Sequence, residues 1–240
     1  MGYKRSMRST VAAAVILAAI AISACTRAPS PGPADRAWTT ADFQRVAAAT
    51  DGCRGLPAFG SAAFARMTDP GVLATIDPPE RPLRERFEAL MVYQEAAAAI
   101  FRRYVTSCAE PRALVVVGTV MIEGTVRMLP LMDQFLAGFS PDDPTYAARA
   151  GGVAQAKDGL VKLATGTAMT VRGTSFTGPL PGIGRRLGAA VAHARALLPP
   201  DALAAALANL EAPEASDDNP HRRALRADIR AGLTAPPPAP

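Results

Sequence analysis

Catalysis in a protein of this kind needs a base, a nucleophile or a set of metal ligands, and this chain of 240 residues offers few of them. His193, between Ala192 and Ala194, is the one histidine placed in the middle of a helical segment. As a general base it would need an acid or nucleophile from another helix, and Glu123, Asp133 and Asp158 are the candidate carboxylates. A solitary histidine is more often a surface or satisfied core residue. A carboxylate-bridged metal pair needs inward glutamates and two Glu-x-x-His pairs. The nearest spacing here, Asp218-x-x-His221, lies across a helix start. Haem attachment through Cys-x-x-Cys-His is absent, and methionines at helical spacing are usually core filler rather than metal ligands. Gly182-x-Gly184-x-x-x-Gly188 has the wrong spacing for a dinucleotide turn and no strand before it, and Gly173-x-Ser175-x-Thr177 lacks the last glycine of a nucleophile elbow. The sequence therefore predicts no catalytic residue, no metal site and no cofactor.

The three cysteines are more informative. Lys4, Arg5 and Arg8 precede an uncharged apolar run, Val11 to Ile22, that ends in Ile22-Ser23-Ala24-Cys25. A basic start followed by about a dozen apolar residues has the layout of a secretory signal and is too short to span a bilayer. Its last four residues resemble the lipobox of bacterial lipoproteins: a branched apolar residue, two small residues and the cysteine that receives lipid. The resemblance covers the first 25 residues. It implies removal of residues 1–24, a diacylglyceryl thioether on Cys25 and usually a further acyl chain; two or more chains hold a protein stably on a membrane. In that family an aspartate after the cysteine favours retention in the inner membrane. Thr26 stands there, so the resemblance implies an outer-membrane anchor with the protein facing the periplasm.

Cleavage would remove three basic residues and no acid, reducing 26 basic residues to 23 against 21 acidic ones and the net charge from +5 to +2. That is no nucleic-acid footprint, and an aromatic content of 5 % argues against stacking platforms for bases or sugars. In an oxidising compartment Cys53 and Cys108 most simply pair. Two buried free thiols or a metal pair are the alternatives, although no histidine lies near either cysteine in the sequence.

Residues 26–36 read as a tether, so that 25–37 comprise the lipidated cysteine and its linker; 38–233 read as a helical domain and 234–240 as a proline-rich disordered tail. A first helix is expected after Thr39 or Thr40, with Asp42 in its first turn, Phe43 and Val46 inward, and Asp51-Gly52 at its end. A short helix from Ser61 buries Phe64 and Met67, before breaks at Asp69-Pro70-Gly71 and Asp77-Pro78-Pro79. From Pro82 to Cys108 the series Leu83, Phe87, Leu90, Gln94, Ala97, Phe101, Tyr104 and Cys108 marks one face of a long helix. The segment from Pro111 to Phe139 is read as a central buried helix, with a kink at Pro130. Glu123 and Arg127 interrupt its apolar run and, like Arg84 and Glu88, are read as a solvated or rim ion pair.

A third long helix, from the Ser140–Pro144 start signal to about Arg172, carries glycine every seven residues: Gly152, Gly159, Gly166 and Gly173. That spacing would let a neighbouring helix approach closely, unless it is chance in a Gly- and Ala-rich stretch. A fourth runs to Leu198, a short helix carries Leu203, Leu207 and Leu210, and a last one runs from Asn219-Pro220 through Ile229. The expected fold is all-α, an antiparallel helical bundle of about four long helices with short helices at its ends. Arg222, Arg223, Arg226 and Arg230 form a candidate basic surface toward an anionic lipid, an anionic polymer or another envelope protein, although such runs are usually solvated faces. The expectation for function is a membrane-anchored, non-enzymatic envelope lipoprotein that binds or scaffolds another component; a helical carrier of a small apolar ligand or lipid is the alternative.

Overall fold

The computed structural model describes residues 36–49, 52–108, 110–173, 175–211 and 219–235. The expected signal segment, Cys25, the expected linker up to residue 35 and residues 236–240 lie outside the described residues. Every described residue is helix, turn or loop, as the helical periodicity predicts. The elements are α1 (Thr40–Ala48), α2 (Ala62–Met67), α3 (Val72–Ile76), α4 (Leu83–Arg103), a π-helical turn (Tyr104–Cys108), α5 (Pro111–Ala137), α6 (Tyr146–Gly173), α7 (Ile183–Leu197), α8 (Ala204–Leu210) and α9 (Pro220–Leu233).

Local chemistry accounts for most of the boundaries. Thr39 and Asp42 form a capping box at the start of α1, and Ser61 caps α2 through the Phe64 amide. Pro111 opens α5, where its missing N–H costs no helical bond, and the Asn219 side chain accepts from the Arg222 amide to start α9. Two boundaries differ from expectation. The α4 face continues to Cys108, but its last five residues widen into the π turn. The stretch between the two breaks forms a further short helix, α3, whose Val72, Leu73 and Ile76 are buried.

Helix α5 is the hub. It passes the length and composition test for crossing a membrane, yet 78 % of its apolar window is buried inside the protein, against α4, α6 and α7. Phe87 stacks on Phe135 while Tyr93 and Gln94 meet Gly124, so α4 and α5 run in opposite senses. Thr167 lies against Gly118 and Lys157 against Asp133, which gives α5 and α6 the same relation. Pro130 is accommodated within α5, with no break in the helix.

The glycine periodicity does not serve close packing. A Cβ at Gly152, Gly159, Gly166 or Gly173 would meet nothing within 4 Å, so the repeat faces open space. Close approach occurs between α7 and α9. A Cβ on Gly188 would lie 2.8 Å from the Leu233 nitrogen and 2.9 Å from the Gly232 Cα, and one on Gly184 would lie 2.6 Å from the Leu225 oxygen. Gly184 faces Leu225 to Ile229 and Gly188 faces Ile229 to Leu233, so α7 and α9 run side by side in the same sense. These neighbours are backbone atoms, which cannot swing away as a side chain would. Gly188→Ala is expected to cost about 2 kcal/mol or more by overpacking. Gly159→Ala, a substitution in an open helix interior, should instead stabilise by about 0.5–1 kcal/mol. Opposite shifts of the thermal midpoint, followed by circular dichroism, would check the pair.

Candidate functional site

A cluster of ion pairs ties the ends of α2 and α3 to α4, α5 and α7. Asp77, the C-cap of α3, is fully buried. Its carboxylate accepts from Arg86 Nε at 2.6 Å and Nη2 at 3.2 Å and from Arg127 Nε at 2.7 Å, while Arg127 Nη2 donates to the Asp77 carbonyl at 3.0 Å. One turn earlier on α5, Glu123 accepts two bonds from Arg186 of α7, at 2.9 and 2.7 Å; the same guanidinium reaches the Thr68 carbonyl at 2.8 Å. The expected Glu123–Arg127 pair is therefore not made. Each residue pairs instead across helices, Arg127 with the buried Asp77 and Glu123 with Arg186 in a two-bond fork, contacts stronger than an exposed i, i+4 pair. The Arg84–Glu88 pair does form, at 2.8 Å on an exposed surface.

Beside this seam the Tyr93 hydroxyl and the Gln94 amide nitrogen are buried without a hydrogen-bond partner among the described residues. Burial holds the Tyr93 phenol well above its ordinary pKa, and the nearby Glu123 charge acts in the same direction. Both side chains press on Gly124, where a Cβ would lie 3.0 Å from a Tyr93 ring carbon. The buried Asp77 and the half-buried Glu123 are thus both occupied by guanidinium groups, an arrangement that orients helices and leaves neither acid as an open base.

The other carboxylates considered for His193 are also engaged elsewhere: Asp133 with Lys157 and Asp158 with Lys162. His193 itself is half-buried on α7. The structure does not assemble a histidine–carboxylate pair from these residues. Among the described residues no group of three or more His, Cys, Asp or Glu is placed to hold a metal ion.

The paired cysteines lie at the opposite end of α4. Cys53 and Cys108 are joined in a disulfide, with Cα atoms 5.4 Å apart. Arg103 reinforces the same loop by donating to the Val46, Gly52 and Arg54 carbonyls at 2.7, 3.1 and 2.6 Å, and the Tyr104 hydroxyl donates to the Pro57 carbonyl. On α1, burial would raise the pKa of Asp42, but the Thr39 amide and hydroxyl together with Arg36 and Arg45 outweigh it and hold the carboxyl below its ordinary range. A depressed folded-state pKa contributes stability above the ordinary aspartate value, near 4, and that contribution is lost as pH falls through the folded value. Asp42→Asn should accordingly flatten the acid limb of a stability-against-pH curve measured by urea unfolding.

The expected basic surface is divided. Arg223 and Arg230 are exposed, Arg222 is half-buried and donates to the Arg172 carbonyl at 3.1 Å, and Arg226 is only 4 % exposed. Leu225, Ile229 and Gly232 turn α9 onto α7, and that rotation carries Arg226 inward. A continuous four-arginine face is therefore not present.

Two apolar spaces adjoin Thr68. One, lined by Phe43, Met67, Ala97, Ile100, Val117, Val120 and Met121, holds about 10 Å³, no more than one water molecule. The other is an open groove of about 200 Å³ between Phe59, Ser61, Phe64, Val116, Leu180 and Ile183. No family model, curated protein or solved structure matches the chain.

Proposed function

We propose that this chain is an exported lipoprotein, tethered through lipid on Cys25 to the outer membrane, whose helical domain serves as a non-enzymatic scaffold for another envelope component. The observation that carries this reading is the Cys53–Cys108 disulfide. Disulfides persist in oxidising compartments and are rare in the cytosol, which agrees with the export signal ending at Cys25. The non-enzymatic part is supported by Asp77, Glu123, Asp133 and Asp158, each committed to a cation. In this reading α4, α5, α6 and α7 alternate in direction as an antiparallel bundle.

Radiolabelled palmitate should enter the wild-type protein and not Cys25→Ala; no incorporation, or incorporation that persists in the variant, overturns the anchor. Turnover of an envelope substrate that is lost in His193→Ala would overturn the scaffold. The groove beside Phe64 supports a second reading, a carrier of a small apolar ligand. Native mass spectrometry of protein from its own host discriminates the two: a retained lipid favours the carrier and an empty protein the scaffold.

A further inference from the structure

The Cys53–Cys108 crosslink stands at the surface rather than inside the core. Residues 52–55 are all exposed, Cys53 among them, whereas Cys108 is half-buried and packs against the core. Gly52 and Gly55, at φ +52° and +75°, turn the chain on either side of Cys53. Across the bond, Val105, Thr106 and Ser107 of the π turn are exposed too, and a Cβ at Gly52 would meet Ser107 at 4.0 Å. Helices widened in this way are frequent at functional sites. Exposed disulfides are the labile ones, because exchange requires a thiolate to reach one of the two sulfurs.

The crosslink is not the only attachment of its loop. Arg103 donates to the carbonyls of Gly52 and Arg54, the two neighbours of Cys53, and to that of Val46 on α1, while the Tyr104 hydroxyl donates to the Pro57 carbonyl. Opening the S–S bond breaks none of these hydrogen bonds, so it requires no prior unfolding of α1 or α4. The Arg103 guanidinium thus lies against the backbone on both sides of Cys53, whose Cα is 5.4 Å from that of Cys108. A cation so placed favours the thiolate that departs when the bond breaks.

We infer that Cys53–Cys108 is an exchange site for a dithiol reductant, which opens the bond in the folded domain by attack at Cys53. One thiolate of the reductant bonds to the Cys53 Sγ. The Sγ–Sγ bond breaks, and its electron pair leaves on Cys108, which takes a proton from water. The second thiolate of the reductant then displaces Cys53, which is protonated in turn, and the reductant ends as a disulfide. The same steps in reverse, with the oxidised reductant, close the bond again. Residues 52–57 are thereby loosened or locked according to the dithiol balance of the surroundings, while the helices stay in place. The inference rests on the disulfide and not on the anchor at Cys25.

The test uses the full chain with Cys25→Ala, so that no third thiol takes part. Reduction by dithiothreitol should be first order in reductant, with a rate constant within about tenfold of that for an open-chain peptide disulfide. That rate should not change with urea below the unfolding transition. The helical circular dichroism spectrum should persist, and hydrogen exchange should rise over residues 52–57 but not in α6 or α7. Brief exposure to the monothiol glutathione, quenched with iodoacetamide, should leave glutathione on the tryptic peptide 46–54 and the alkyl group on 104–112. A rate that climbs about tenfold or more per molar urea, or no reduction without urea, means that exchange waits on unfolding and overturns the inference. Glutathione found chiefly on Cys108 overturns the site of attack, and loss of the helical spectrum on reduction overturns exchange in the folded domain.

Discussion

Asp77→Ala is expected to lower the stability of the folded chain by about 3 kcal/mol, the low end of the range for breaking a buried ion pair from one side. Asp77 has no solvent exposure and accepts from two arginines that belong to different helices. Truncating it would leave both guanidinium groups facing a space shaped for a carboxylate. They remain 23 % and 35 % exposed, so water relieves part of the loss and the upper end of that range is not reached. For a domain of this size the thermal midpoint should fall by about 6–12 °C. Arg86→Ala alone should cost less, because Arg127 would still hold the carboxylate. Urea unfolding of Asp77→Ala, Arg86→Ala and the double variant checks this through the coupling energy. A loss below about 1 kcal/mol in Asp77→Ala would show that the cluster is no more than a solvated surface pair.

Removing the disulfide is expected to cost about as much by a different route. The Cys53–Cys108 bond closes a loop with a sequence separation of 55. In the chain-entropy model a loop of that length destabilises the unfolded state by about 4 kcal/mol. Cys53→Ser/Cys108→Ser should therefore melt roughly 10 °C lower. Its folded structure should persist, because Arg103 and Tyr104 bind the same loop through four carbonyl groups. Full recovery of the helical spectrum on cooling, with the lowered midpoint, is the expected pattern. Loss of folded structure at room temperature would mean that the crosslink, rather than those hydrogen bonds, organises the loop. Peptide mapping of the wild type without reductant should find neither cysteine alkylatable.

How much was legible from the residues can be judged at three places. The helix α4 and the π turn that continues it were readable because Leu90, Gln94, Ala97, Phe101 and Tyr104 recur at three- and four-residue steps, and all but the half-buried Phe101 are buried. Local spacing is sufficient for that, since side chains on one face of a helix share one environment. The glycines were not readable in the same way. A heptad on α6 suggested close packing and faces open space, whereas Gly184 and Gly188, considered only as a failed nucleotide motif, meet the backbone of α9. Spacing along one helix does not say whether a second helix lies opposite. Asp77 carried no distinguishing signal at all: before Pro78-Pro79 it reads as a chain break, and only the return of Arg127 from 50 residues away makes it a buried acceptor.

From the sequence alone came the helical class, most helix starts and the candidate pairing of Cys53 with Cys108. Periodicity, caps and cysteine count are local or compositional quantities and need no knowledge of neighbours. The tertiary structure decided which helix is the hub, which glycines allow contact, and which partner each of Glu123, Arg127 and Arg226 takes. An arginine side chain reaches several residues in any direction, and the burial of its surroundings determines which bond is strongest. That burial exists only once distant helices are packed.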